Sequence, residues 1–423
     1  MNSYFASVEQ QANPFFRGRP LGVCAYLHPR GCVIAASVEA KRMGAKVGMT
    51  VMEARRLVPG MIFVQTDPAK YRSVTSRIFT VLQTLTDKIE YYSIDEAFLD
   101  LTGWYRDSAE SAFALSRVKQ RMCEEIGEWL RCSVGIAPTK FLAKFASDRR
   151  KPDGLVIIES EKIPMWLHVP VEEAWGIGPR LGKRLARLGI VTLHDLREAS
   201  PTNLLQSFGV QGYFLWCHVQ GIECDPFALP GVPPKSIGHS YCVPQKVSRD
   251  GSIEAVLTKL TERVGRRLRT HLFLSSKVVI TIHHINEHLY RHATHLFPQP
   301  IDDSFTLVSE VVKKFRAMRQ QGEIDFLSVT CIDLSRPRKQ LELVVDDSLS
   351  NLHERRLRSV SHSMDHIRDR YGQESIVLGR MLGAMGNDHA PDRIGFRKID
   401  GVAVSEFPAY SERVVYDTAE ENE

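Results

Sequence analysis

No run of about eighteen apolar residues occurs in this 423-residue chain, so no membrane-spanning helix is expected. The N-terminus lacks the basic-then-apolar signature of a secretory signal. Cysteine lacks pattern rather than number: eight residues are scattered, with no CxxC and no metal-ligand spacing. They read as buried or incidental thiols in a reducing cytoplasm, where the chain is expected to reside. Neither sign of charge dominates, and a net charge of +5 permits nucleic-acid binding without demonstrating it. What is present is 43% hydrophobic and 25% charged residues, a globular composition. The length alone suggests about three domains.

The most specific stretch is YYSIDEAFLDLT, Tyr91 to Thr102. Ile89, Tyr91 and Ser93 alternate with Tyr92 and Ile94, a strand pattern that leads into the acidic pair Asp95–Glu96. Neighbouring side chains of an unbroken strand point to opposite faces. The two carboxylates therefore act on one centre only at the bend of a hairpin. Held together there they repel unless cations bridge them, and hard divalent ions prefer such oxygens and share them with phosphates. An exposed acidic turn is the plainer alternative.

Residues 10 to 67 are rich in helix signals. Val74, Ile78, Val81, Leu82 and Leu85 mark a helix over Tyr71–Leu85, and Phe113, Leu115, Val118 and Met122 mark the buried side of another over Ala109–Leu130. Strands are expected at Cys132–Ile136 and Leu155–Ile158. From Pro164 to about Pro230 the chain turns to short helices. Gly176, Ile177 and Gly178 precede Pro179, which suits a first helical turn. The helix that follows carries Leu181, Leu185 and Leu188 on one side and Lys183, Arg184 and Arg187 on another. This is a helix-hairpin-helix pattern, with a second candidate at Phe208–Gly212. Its glycines and free helix N–H groups suit contact with a phosphate backbone; a plain tight helical hairpin explains the glycines equally well. After a Pro/Gly linker at 229–235, the order is strand, helix, strand, strand, helix, strand, starting near Ser236 and closing at Phe326–Leu334. This βαββαβ unit is a two-layer α/β domain. Residues 236–345 hold 16 Lys/Arg and 11 Asp/Glu, an excess of five positive charges suited to duplex backbone. A helix is expected at Leu352–Tyr371, and the last thirty or so residues have weak patterning.

SIDEAFLDLT closely resembles the palm motif of the Y-family, DinB/UmuC-type translesion DNA polymerases. MNSYFASVEQ resembles that family's opening motif and VIAASVEAKRMGAKVGM its fingers helix. SVGIAPTKFLAKFASDRRKPDG resembles the second half of the palm, WGIGPRLGKRLARLGI the thumb, and KSIGHS the start of the little finger. HSMDHIRDRYGQESI resembles the C-terminal extension of some members. The resemblance covers roughly residues 1 to 345. It implies an α+β multidomain right-hand polymerase, with palm at 1–9 and 68–163, fingers at 10–67, helix-hairpin-helix thumb at 164–230, βαββαβ little finger at 236–345 and a partly disordered C-terminal extension at 346–423.

The resemblance also implies chemistry: magnesium-dependent, error-prone, template-directed extension of a primer from dNTP, in translesion synthesis and DNA repair. Two Mg2+ ions would be held by Asp95, Glu96 and the backbone carbonyl of Met1, together with an aspartate that the family carries just before the residue matched by Met1. The chain begins one residue inside that motif. A start misplaced at an internal methionine is the expected explanation; a polymerase-like protein lacking one ligand is the other. Phe5 falls at the steric gate that blocks a ribose 2′-hydroxyl, with Tyr4 beside it. Lys151 and Lys41 match cations that meet the triphosphate. Where the family commonly has a tyrosine and a threonine near Lys41, this chain has Val38 and Ala35, which leans toward the UmuC-like branch. Gly176, Ile177, Gly178, Lys183 and Arg184 would contact DNA. Gln340, Leu341, Leu343 and Val344 resemble a peptide that docks on the sliding clamp, with Val344 replacing the usual aromatic. Primer-template DNA, dNTP, the clamp and SOS accessory proteins are the implied partners. A catalytically impaired adaptor that binds damaged DNA and the clamp is the competing reading. A helix-hairpin-helix nuclease or glycosylase accounts for the 164–230 region alone.

Overall fold

The computed structural model describes residues 1–29, 31–225, 227, 234–243, 253–284, 289–318, 323–337 and 349–384. The chain divides into two compact units, whose main parts are Met1–Leu229 and Pro230–Asp392.

The first unit opens with α1 (Tyr4–Ala12), whose residues Tyr4 to Gln10 are all buried. Strands β1 (Leu21–Cys24), β2 (Val33–Ala36) and β3 (Ile62–Gln65) then form one sheet in the order β2-β1-β3. Only short helices interrupt it: α2 (Val38–Arg42), started by Ser37 accepting the Ala40 N–H, and α3 (Val51–Leu57), started by a Thr50–Glu53 capping box. The helical expectation for residues 10–67 is thus corrected. VIAASVEAKRM is half strand, because Val33, Ala35 and Ala36 are buried in a sheet that their small side chains allow to pack closely.

Helix α4 (Pro68–Leu82) starts three residues before Tyr71, since Asp67 caps the Lys70 N–H and Pro68 suits the first turn. Strands β4 (Ile89–Ser93) and β5 (Glu96–Leu99) pair antiparallel, with Ser93 opposite Glu96 across the two-residue turn Ile94–Asp95. Helix α5 (Ser108–Glu125) buries Ser111, Leu115, Val118 and Met122. Phe113, expected inside, is 66% exposed. It stands two residues, about 200° of helix rotation, from that stripe. Strands β6 (Val134–Ile136) and β7 (Leu155–Ile157) pair in parallel and are joined by α6 (Lys140–Arg149). The β4–β5 and β6–β7 pairs are separate sheets. A cavity of about 560 Å³ lined by Phe98, Leu101, Leu115, Val134, Ile136 and Ile157 touches both.

Helices α7 (Ile163–Trp166), α8 (Pro179–Ala186), α9 (Leu193–Glu198), α10 (Pro201–Phe208) and α11 (Val210–Gln220) follow. Leu185, Leu193, Leu196 and Leu204 pack with Phe141 and Phe145 of α6 in one core. Leu188 lies past the end of α8 and is exposed, so the apolar stripe stops at Leu185.

The second unit follows the expected order. Strands β8 (Ser236–Cys242), β9 (Leu274–His284), β10 (Leu289–Ile301) and β11 (Ile324–Ser335) form an antiparallel sheet in the order β10-β9-β11-β8. Helices Ile253–Thr270 and Ser304–Met318 supply the second layer. Val256, Leu257, Leu260, Val264 and Leu268 meet Val278, Ile280 and Ile282 of β9 in a single core. Alternation along β9 and the helical stripe are the two periodicities that made this unit readable. A further helix, Leu349–Tyr371, contacts the Ser304–Met318 helix.

Candidate active site

The Ile94–Asp95 turn decides where the acidic pair points. The Ser93 hydroxyl donates to Asp95 Oδ1 at 2.9 Å, and Ser93 Oγ lies 3.3 Å from the Asp95 N–H. A serine two residues before the aspartate therefore shapes the turn and holds its carboxylate. Glu96, the first residue of β5, accepts from Lys144 Nζ at 2.5 Å. Lys144 stands on α6 with Asp148 one turn further along, 3.8 Å from the ammonium, and Asp148 pairs with Lys151 at 2.6 Å. Burial disfavours the Lys144 ammonium, but the bond to Glu96 and the charges of Glu96, Asp148 and Asp95 more than offset it, and its pKa is raised.

Asp95 and Glu96 border a cleft of about 530 Å³ lined also by Met1, Tyr4, Phe5, Ala35, Val38, Lys41, Lys151 and Pro152. The structure thus brings together every residue expected at the nucleotide site, though the chain separates them by up to 150 positions. The Met1 ammonium donates to the Asp95 carbonyl at 2.6 Å. Lys41 is exposed, yet the cleft wall desolvates its ammonium and Lys151 repels it; together these outweigh the pull of Asp95, and its pKa is lowered. The cleft therefore faces inward with two cations that repel one another and two carboxylates on one turn. Such a site gains from an anion that takes up the cations and from a cation that bridges the carboxylates.

Among the described residues, no cluster of three or more His, Cys, Asp or Glu has metal-binding geometry. Two carboxylates on one turn fit magnesium all the same, since that ion is commonly held by one or two carboxylates together with substrate phosphates.

The helix-hairpin-helix residues sit apart from this cleft. Gly176 adopts φ 89°, a left-handed conformation that glycine tolerates, and Gly178 caps α8 without a side-chain hydrogen bond. Ile177 is buried and anchors the turn, while Lys183 and Arg184 are exposed on α8. The second candidate hairpin is also formed: Gly209, at φ 66°, joins α10 to α11. Arg184 donates to the Ser207 carbonyl at 3.2 Å and lies 4.7 Å above the Phe208 ring, so it ties the two hairpins together. Gln340, Leu341, Leu343 and Val344 lie outside the described residues.

Sequence reasoning missed Ser93, Lys144 and Asp148. The i, i+4 spacing of Lys144 and Asp148 was a visible signal of one helix face. That this face meets β5 was not visible.

Residues 1–148 match the impB/mucB/samB family model, and residues 234–343 match the model of that family's C-terminal domain. The chain is 42% identical to DNA polymerase IV of Moorella thermoacetica over 289 residues, 66% of this chain and 71% of that protein. It is 34% identical to DNA polymerase IV of Pelotomaculum thermopropionicum over 395 residues, 91% of this chain and 95% of that one. Its backbone resembles a chimeric Y-family DNA polymerase with a TM-score of 0.68 at 26% identity, covering 79% of this chain and 98% of that one.

Proposed function

This chain belongs to the impB/mucB/samB family, as a Y-family, DinB-type translesion DNA polymerase, and from that premise we propose that the Asp95–Glu96 cleft is where it joins a dNTP to a primer 3′-hydroxyl. The observation that carries this reading is the cleft itself: two carboxylates on one turn, two lysines and an aromatic floor in about 530 Å³.

The triphosphate takes its place against Lys41 and Lys151, whose mutual repulsion its charge relieves. Asp95 and Glu96 would hold two magnesium ions with the carbonyl of Met1, and Glu96 leaves Lys144 to do so. When bound, magnesium polarises the α-phosphate and favours the ionised 3′-oxygen. The new bond joins that oxygen to the α-phosphorus, and the bond to pyrophosphate breaks. Lys151, held by Asp148, stays in place to neutralise the departing pyrophosphate. Phe5 closes the floor beneath the sugar and blocks a 2′-hydroxyl. The exposed helix N-terminus at Gly178, with Lys183, contacts the DNA backbone, as does the basic βαββαβ unit. The 340–344 peptide docks on a sliding clamp, and SOS accessory proteins are further partners.

The test is primer extension with magnesium and all four dNTPs. Asp95→Asn and Glu96→Gln should each lower the rate by at least about 100-fold, with primer-template binding retained. Full activity in both variants would remove the acidic pair from catalysis. The competing reading, a DNA- and clamp-binding adaptor, is favoured by the lack of a three-group metal cluster among the described residues. It predicts tight DNA binding and no extension by the unmodified chain.

A further inference from the structure

Phe5 is braced from behind. Its ring is 4% exposed and lies on that of Tyr71, with centroids 4.4 Å apart and 16° between planes. Tyr71 is completely buried, and its hydroxyl donates to Glu9 Oε1 at 2.8 Å. Glu9 is buried too, and Lys70 Nζ donates to both of its carboxylate oxygens, at 3.1 and 2.9 Å. Burial, and then the Glu9 charge, raise the Tyr71 pKa, so the hydroxyl stays a donor. The backbone behind the ring is fixed as well. The Tyr4 hydroxyl lies 2.8 Å from the Tyr71 carbonyl and 2.7 Å from Thr75 Oγ1, and the Thr75 hydroxyl lies 2.8 Å from the carbonyl of Ile94, the residue before Asp95.

Packing alone does not call for this arrangement. A phenylalanine at 71 would fill the same space without a buried carboxylate, whose desolvation is costly. What the hydroxyl–carboxylate–ammonium chain adds is immobility. Ribose and deoxyribose differ by one oxygen. A wall excludes that oxygen only if it does not give way, because steric overlap is costly in proportion to how little the wall moves.

We propose that Tyr71, locked by Glu9 and Lys70, is the positioning residue that makes Phe5 an unyielding wall, so that selection of deoxyribose over ribose depends on this brace as well as on Phe5. The proposal rests on Phe5 being the sugar gate.

The experiment titrates dCTP and CTP onto the protein bound to a primer-template whose primer ends in a dideoxynucleotide opposite a position preceding template guanine. No bond can form, and the readout is the ratio of the two dissociation constants. Phe5→Ala should shift the ratio toward CTP by about tenfold or more, and Tyr71→Leu by about fivefold, with dCTP affinity changed less than about threefold. Tyr71→Phe, which keeps the ring but removes its bond to Glu9, should shift the ratio by about threefold in the same direction, less than Tyr71→Leu. Glu9→Gln keeps the side-chain volume and gives a reading if Tyr71→Leu does not fold; it should shift the ratio by about twofold in the same direction. If Phe5→Ala relaxes selection while Tyr71→Leu and Glu9→Gln do not, the brace is wrong and the gate stands. If Phe5→Ala leaves the ratio unchanged, the gate reading fails and the brace falls with it. Equal weakening of both nucleotides in Tyr71→Leu makes Tyr71 a structural residue and overturns the proposal.

Discussion

Each unit of the chain concentrates charge, and the two concentrations are built in opposite ways. In the second unit, Arg269 donates to Asp365 at 2.5 and 3.0 Å, Arg368 to Glu262 at 2.7 Å, and Arg358 to Asp302 at 3.0 Å. Three arginines meet three carboxylates, and further bonds from Arg269 reach the Asp302 carbonyl and Ser304. Each of these ions faces an opposite charge within the fold, and in that sense the network is closed, although burial still raises the Asp302 pKa and Arg358 Nε has no hydrogen-bond partner among the described residues. The network binds the Leu349–Tyr371 helix to Ile253–Thr270. In the cleft of the first unit, Lys144 satisfies Glu96 and Asp148 satisfies Lys151, but Lys41 is desolvated by the cleft wall and opposed by Lys151, and its pKa is lowered. That set is open. Buried charge that only holds a fold together is neutralised within the fold. Charge left in mutual repulsion at a cleft wall is completed by a ligand.

Breaking the closed network should have the largest effect. Glu262→Ala removes the nearest carboxylate of the buried Arg368, leaving it Asp365 at 3.7 Å and the Ile376 carbonyl, and should destabilise the second unit by about 3–5 kcal/mol. Urea unfolding would measure it; a loss under about 1 kcal/mol would mean that the network is not closed as described. The open set should respond in the opposite sense. Lys41→Met should weaken dNTP binding about tenfold, the value of one charge-assisted bond, while slightly raising the thermal midpoint because a repulsion is removed. A lowered midpoint would show that Lys41 is a structural residue. The smallest effect concerns Lys144. Its folded pKa is raised, so its contribution to stability is fully present below about pH 10.4 and is lost as pH rises through the folded value. Lys144→Met should therefore cost about 1 kcal/mol at pH 8, and the gap from the unmodified chain should narrow at an alkaline pH above the raised folded value. Denaturation at both pH values checks it; a gap independent of pH would mean that packing, rather than the pair with Glu96, is what the substitution removes.

How much could be read beforehand depended on length of pattern. The βαββαβ unit has strands of 7 to 13 residues and helices of 15 and 18, long enough for alternation and helical stripes to be unambiguous. The sheet of residues 21–65 was missed because its strands are four residues each and one is built of Val, Ile and Ala, types that also suit a helix. Phe113 was misplaced because an aromatic within an apolar helix draws the stripe toward itself unless the phase is fixed by neighbours such as Leu115 and Val118.

By itself, the sequence made a hairpin bend at Asp95–Glu96 the condition for the two carboxylates to act on one centre, because period-two alternation places adjacent side chains on opposite faces and only a turn reunites them. It likewise determined the helical hairpin at Gly176–Pro179 and the order of the second unit. Tertiary structure alone decided that α6 lies against β5, so that Lys144 holds Glu96. It alone decided that Tyr71 backs Phe5 and that Glu9 and Lys70 close behind it. The physical reason is that local periodicity specifies which face of an element is apolar, whereas the partner of a buried charge or ring depends on packing between elements far apart in the chain.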